Sequence, residues 1–141
     1  MGKIGIIGFG RIGSAVAYTL MGMGHSILAY DVREEYARAS MSDLGHAFPN
    51  GPRVDFTLPS DMGLCSVICI TAGRPRTPEQ SRAELFGLNL GIVNEIIGSL
   101  GDFEGTIVNV TNPVDAINAV VARRMGRELS LIHISEPTRP Y

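Results

Sequence analysis

One short stretch constrains this chain more than any other: a glycine-rich turn set between an apolar strand and a helix. Lys3-Ile4-Gly5-Ile6-Ile7 reads as a buried strand, and Gly8-Phe9-Gly10-Arg11-Ile12-Gly13 follows it directly. The order strand, turn, helix is what a dinucleotide-binding turn requires. Gly8 allows the tight turn, Gly10 lets the backbone approach a pyrophosphate with no Cβ in the way, and Gly13 lets the helix pack close against the strand. The helix N-terminus adds free N–H groups and the positive end of a dipole, both suited to phosphate. The alternative for these residues is a plain glycine turn in a chain with 17 glycines.

The rest of the chain fits a domain built around such a turn. It has 141 residues, enough for one domain of ordinary size. Its composition, 45% hydrophobic and 18% charged, suits a soluble α/β domain. A formal net charge of −2 argues against general binding to nucleic acid or a membrane surface. No apolar run reaches the roughly 18 residues of a membrane span, and no secretory signal is read at the N-terminus. Met1-Gly2 lacks the Ser or Thr at residue 6 that myristoylation wants, because Ile6 stands there. Cys65 and Cys69, read on one strand, would share a face roughly 13 Å apart, too far for a disulfide. They are expected to be small buried hydrophobes of a cytoplasmic protein.

Further along, periodicity alternates between strand and helix. Ile12, Ala15, Val16, Thr19, Leu20 and Met23 recur at helical spacing, and Gly22-Met23-Gly24 ends that helix. Ser26–Tyr30 is a second strand, with Asp31 at its end, eighteen residues past Gly13. A carboxylate there can accept both hydroxyls of a cofactor ribose and would repel a 2′-phosphate, so NAD is expected. Arg33, two residues on, could neutralise such a phosphate; the other reading of Asp31 is a helix N-cap. A helix over 33–47 is expected with Tyr36, Ala37, Met41 and Leu44 inward. Strands are expected at 53–58, 66–71 and 106–110. A loop is expected over 59–63, and a helix over 81–100 with Leu85, Leu88, Ile92, Val93, Ile96, Ile97 and Leu100 inward. Pro113 suits position N1 of a last helix that ends near Gly126 and carries Val114, Ile117, Val120, Val121 and Met125. Strands alternating with helices predict a doubly wound parallel α/β sheet with no internal repeat or linker.

In such a sheet ligands sit at the carboxyl ends of the strands. Arg74, Arg76 and Arg82 follow the fourth strand, with Glu79 opposing them. An arginine fork can grip a carboxylate through two parallel hydrogen bonds, although a solvated basic loop has the same composition. Asn112 follows the fifth strand and offers a donor and an acceptor at the same rim; an asparagine turn before Pro113 is the bland reading.

Taken in order, these motifs resemble the lactate/malate dehydrogenase family. They are Gly8–Gly13, Asp31, Asp43-Leu44-Gly45-His46-Ala47, Thr71-Ala72-Gly73, Pro75-Arg76-Thr77-Pro78-Glu79-Gln80-Ser81-Arg82, Asn89 and Thr111-Asn112-Pro113-Val114-Asp115. The resemblance covers residues 1 to about 128 and implies a Rossmann domain that binds NAD, from an oxidoreductase moving a hydride between nicotinamide and a 2-hydroxy acid. It implies that Gly8, Phe9, Gly10, Arg11, Ile12 and Gly13 hold the pyrophosphate and that Asp31 holds the adenosine ribose. Asn89, Val110, Thr111 and Asn112 would contact the nicotinamide side. Arg82 would polarise the substrate carbonyl, the one catalytic role carried over, and Asn112 would hydrogen-bond the substrate oxygen. Arg76 stands at the specificity position, where arginine goes with malate and oxaloacetate and glutamine with lactate. The physical reason agrees, because an uncompensated carboxylate in a closed site is costly. The expectation is therefore a malate dehydrogenase of the tricarboxylic acid cycle, a homodimer or homotetramer at full length, with no metal. The alternatives are a lactate or other 2-hydroxy-acid dehydrogenase and a non-catalytic NAD-sensing domain. The last leaves Arg76, Arg82, Asn89 and Asn112 unexplained.

The chain departs from this pattern at its end. The family's proton-carrying histidine, its aspartate partner and a further carboxylate-binding arginine belong to a second half, and none is matched here. His25 and His46 are read as structural or solvated. Leu129 to Pro140 resembles a translated sequencing adapter, so 129–141 is expected to be a non-native tail on a sheet truncated before the catalytic domain. The alternative is a divergent sixth strand in which Leu129, Leu131 and His133 alternate with other residues. On the first reading the chain holds NAD weakly and turns over nothing.

Overall fold

The computed structural model describes residues 2–126. The expected boundary at 128 and the tail 129–141, with His133, lie outside the described residues. Strands β1 (Lys3–Ile7), β2 (Ser26–Tyr30), β3 (Val54–Phe56), β4 (Val67–Ile70) and β5 (Thr106–Asn109) alternate with helices α1 (Arg11–Gly22), α2 (Glu34–Ala47), α3 (Arg82–Leu100) and α4 (Val114–Met125). All pairings are parallel, in the order β3-β2-β1-β4-β5. This is the doubly wound α/β sheet expected from the alternation. The order reverses between β1 and β4, so the loops leaving those two strands diverge and open a crevice at their carboxyl ends.

Two apolar layers hold the sheet. Ile6, Phe9, Ala17, Met21, Ile27, Ala29, Ala37, Met41, Leu44 and Cys69 pack beneath α1 and α2. Ile7, Ile68, Ile70, Val93, Ile96, Ile97, Ile117 and Val121 pack beneath α3 and α4. Alternation along each strand feeds both layers: Ile6 goes to the first and Ile7 to the second.

Several expectations need correction. The buried stripe of α1 is Gly13, Ala17 and Met21, whereas Ile12 and Met23 are about three-fifths exposed, at 58% and 61%. The helix must bring Gly13 against the strand, and that contact turns Ile12, Ala15, Thr19 and Met23 outward, while Val16 and Leu20 of the expected stripe stay half-buried against the core. Tyr36 also faces out, beneath the Arg33 guanidinium, and Leu88 is exposed where Asn89 is buried. Cys65 and Cys69 do not share a face. Cys65 precedes β4, at the end of a 3-10 turn over Pro59–Leu64 that replaces the expected loop, and the two thiols enter opposite layers. Both are free, and burial pushes both thiols above their ordinary range, with Lys3 opposing this at Cys65. Pro113 is the N-cap of α4 rather than N1. Strands β3, β4 and β5 are shorter than expected, spanning Val54–Phe56, Val67–Ile70 and Thr106–Asn109.

The corrected face of α1 is testable by denaturant unfolding. Met21→Ala should cost about 2–5 kcal/mol, and Met23→Ala should stay within about 0.5 kcal/mol of the parent. Equal costs would restore the face read from periodicity.

Candidate functional site

The crevice is lined by three loops, each leaving the carboxyl end of a strand: residues 8–10 after β1, 71–81 after β4 and 110–113 after β5. The first is held by crowding. Gly8 has φ +99°, a left-handed conformation that side chains rarely adopt, and a Cβ there would collide with the backbone of Ala72. A Cβ at Gly13 would collide with the carbonyl oxygen of Gly8. That same oxygen accepts a 2.5 Å hydrogen bond from Thr71 Oγ1. Gly10 differs: the nearest atom to a Cβ there is an Arg33 guanidinium nitrogen at 3.8 Å. The turn is thus closed at Gly8 and Gly13 and open at Gly10. The first N–H groups of α1 emerge there with no preceding carbonyl, the shape and polarity that a pyrophosphate needs.

Asp31 links this turn to β2. Its carboxylate is buried and accepts from Phe9 N–H at 2.8 Å and from Arg33 N–H at 2.9 Å. The Arg33 Nε lies 3.5 Å from the same Oδ1 as the Arg33 N–H. Asp31 does not cap α2, whose N-cap is Arg33. Its second oxygen fastens the glycine turn instead. The Phe9 ring is fully buried, so Phe9 serves the turn through its backbone. Arg11 and Ile12 open α1 at the surface.

Asn89 joins the other two loops. It is 1% exposed. Its Oδ1 accepts from Arg74 N–H at 2.8 Å, and its Nδ2 donates to Asn112 O at 2.8 Å and to Arg74 O at 3.3 Å. A contact with a ligand would have to use the one acceptor position left on Oδ1. Thr111 repeats the work of Thr71 on the far side: it is buried, and its hydroxyl donates to Ala72 O at 2.6 Å. Asn109 accepts from Thr111 N–H at 3.2 Å and donates to Thr111 O and to Asn118 Oδ1 on α4. Val110 and Asn112 are exposed on this loop, and the Asn112-Pro113 bond is cis.

The arginine side chains stand apart from this network, although the Arg74 backbone belongs to it. Arg74, Arg76 and Arg82 are exposed, and Arg76 Nε donates to Gln80 O at 3.2 Å. Arg82 opens α3 just past a capping box, in which Ser81 Oγ accepts from Glu84 N–H and Glu84 accepts from Ser81 N–H. The Ser81 backbone N–H, then its hydroxyl, lowers the Glu84 carboxyl from its ordinary value. That contribution is present above the unfolded carboxylate range and is lost as pH falls through the lowered folded value. Among the described residues no hydrogen bond or ion pair ties Arg76 or Arg82 to Asn112. The motif reading singled out Thr71 and Thr111 without the hydrogen bonds by which they fasten the loops, and it did not single out Asn109. Their signal was a small hydroxyl or amide at the end of a strand or just past it, which pattern alone does not separate from ordinary strand ends.

This geometry can be set beside known proteins. Residues 2–131 match the family described as lactate/malate dehydrogenase, NAD binding domain. The chain belongs to the lactate/malate dehydrogenase family. It is 31% identical over 140 residues to malate dehydrogenase from Sulfurimonas denitrificans, covering 92% of this chain and 43% of that protein. It is 33% identical over 122 residues to L-lactate dehydrogenase from Halalkalibacterium halodurans, covering 82% and 39%. The solved malate dehydrogenase from Archaeoglobus fulgidus in complex with NADH superposes with a TM-score of 0.80 at 30% identity, over 89% of this chain and 46% of that one. The chain therefore spans less than half the length of these relatives. It contains the NAD-binding domain of an oxidoreductase family, and the open Gly10, the crowded Gly8 and Gly13 and the buried Asp31 fit that cofactor. Among the described residues no helix is long and apolar enough to cross a membrane.

Because Asn89 serves three backbone groups, removing its amide leaves partners unsatisfied. Asn89→Ala should cost about 2 kcal/mol or more in denaturant unfolding. Hydrogen exchange at the Arg74 amide should accelerate with it. An unchanged Arg74 amide would show that the loops do not depend on this side chain.

Proposed function

We propose that this chain supplies the cofactor half of an NAD-dependent malate dehydrogenase, with malate and oxaloacetate as substrates. The observation that carries the reading is Arg76, on the loop that leaves β4 beside the glycine turn. A dicarboxylate brings a second negative charge into the crevice, and a guanidinium at Arg76 offsets the cost of burying it. Arg76 is exposed and held only through Nε to a carbonyl, so its terminal nitrogens can turn toward a carboxylate. In this reading Gly8, Phe9, Gly10, Arg11, Ile12 and Gly13 receive the pyrophosphate and Asp31 the ribose. Val110, Thr111 and Asn112 form the nicotinamide side, with Asn89 holding that rim in place. When bound, the nicotinamide gives or takes the hydride. Arg82 offers positive charge to the carbonyl oxygen as it gains charge, and Asn112 adds a hydrogen bond. Conversion of malate also needs a proton carrier within hydrogen-bond reach. Among the described residues the histidines are His25, entering β2, and His46, at the end of α2; both belong to the amino edge of the sheet. The similarity to an L-lactate dehydrogenase favours a second reading, in which the substrate is a monocarboxylate.

The first measurement tests the cofactor half common to both readings, and the second separates them. The 141-residue chain is expected to bind NADH and to show no malate-dependent reduction of NAD. In a chain carrying the relatives' full length, Arg76→Gln should lower kcat/KM for oxaloacetate by about 10- to 100-fold and raise that for pyruvate. Unchanged preference for oxaloacetate would remove Arg76 from the specificity role, and preference for pyruvate in the parent would favour the second reading.

A further inference from the structure

The end of β2 carries two opposed charges where an NAD site of this design needs only one. Asp31 is buried, and each of its oxygens already accepts a backbone N–H, from Phe9 and from Arg33. The Arg33 guanidinium lies along the carboxylate, its Nε 3.5 Å from Oδ1. Its far nitrogen lies 3.8 Å from where a Gly10 Cβ would stand, over the open point of the turn. The Tyr36 ring supports it from below, with the guanidinium carbon 4.6 Å from the ring centroid. The nearest acidic neighbour on α2, Glu34, is paired with Arg38 at 2.8 Å, and the Arg33 side chain is 62% exposed. An exposed guanidinium thus lies between Asp31 and the Tyr36 ring at the end of β2, and the carboxylate that would repel a phosphate is partly neutralised by it.

We propose that Arg33 makes the adenosine-ribose end of this site accept a 2′-phosphate, so that the chain binds NADP as well as NAD. This rests on the assignment of the NAD site and extends it to a second cofactor. A 2′-phosphate beside the ribose would take charge-assisted hydrogen bonds from the terminal nitrogens of Arg33. Tyr36 limits the rotamers of the guanidinium, so less freedom is lost when the phosphate binds. Glu34 stays engaged with Arg38 and does not compete.

The test is fluorescence titration of the full chain with NADH and with NADPH, repeated on Arg33→Ala and Arg33→Lys. The parent should bind the two cofactors within about tenfold of each other. Arg33→Ala should weaken NADPH by about tenfold more than it weakens NADH, because any contact of Arg33 with the pyrophosphate is common to both cofactors. Arg33→Lys should recover part of the NADPH affinity, because it keeps the charge and loses the fork. A parent that binds NADH but discriminates against NADPH by about a hundredfold or more would overturn the proposal, as would equal losses for both cofactors in Arg33→Ala. Failure of the parent to bind either cofactor would overturn the nucleotide site itself and the proposal with it.

Discussion

The carboxyl rim of this sheet depends on a contact that exists only because a side chain is missing. Gly13 sits so close to the carbonyl of Gly8 that a Cβ could not be accommodated. That contact draws the first turn of α1 onto the end of β1, and the helix dipole then points into the crevice. The carbonyl at its centre also accepts from Thr71, so the loop after β4 is tied to the loop after β1 at the point where the sheet order reverses. Asp31 closes the assembly from the other side through Phe9. A nucleotide site in this fold is therefore an arrangement of backbone, held by few side chains.

The same economy runs through the far half of the rim. Asn89 satisfies both backbone groups of Arg74 and the carbonyl of Asn112 with one amide. Thr111 fastens its loop to Ala72, and Asn109 fastens Thr111 to α4. None of these groups need touch a ligand to matter. Their effect is to fix the separation of the two loops between which a nicotinamide and a substrate would lie, with misplacement by an ångström enough to lower a rate substantially. Arg76 and Arg82, by contrast, are exposed at the solvent edge of the rim.

Much of this was legible in the sequence. The strand before the glycine turn, the helix after it and Asp31 at the end of β2 are local patterns, and each fell where it was read. Gly8 and Gly13 are glycines for the structural reasons their spacing implied. The face of α1 was legible only in part: Val16 and Leu20 pack on the core as their spacing implied, but Ile12, Ala15, Thr19 and Met23 mimic a core stripe while the demand of Gly13 for contact sets the true one. Cys65 and Cys69 were misplaced because the start of β4 lies between them and breaks the alternation. The bonds of the Thr71 and Thr111 hydroxyls, to Gly8 and Ala72, depend on which strands become neighbours, information that no short window contains, whereas those of Asn109 are local and depend on how α4 folds back. The substrate is in the same position: one arginine argues for a dicarboxylate, and relatives with both activities share the fold.

The most direct test of the central claim is to follow the backbone amides of the isotopically labelled chain by NMR while NADH is added. If the glycine turn and Asp31 form the cofactor site, the largest shifts fall on the amides of Gly10, Arg11, Ile12 and Gly13 and on Asp31 and its neighbours, and they saturate together. Shifts that fall elsewhere, such as the cleft between Met41 and Val54 that Phe48 and Pro52 also line, would contradict it. So would shifts that leave Gly10–Gly13 unmoved at saturation.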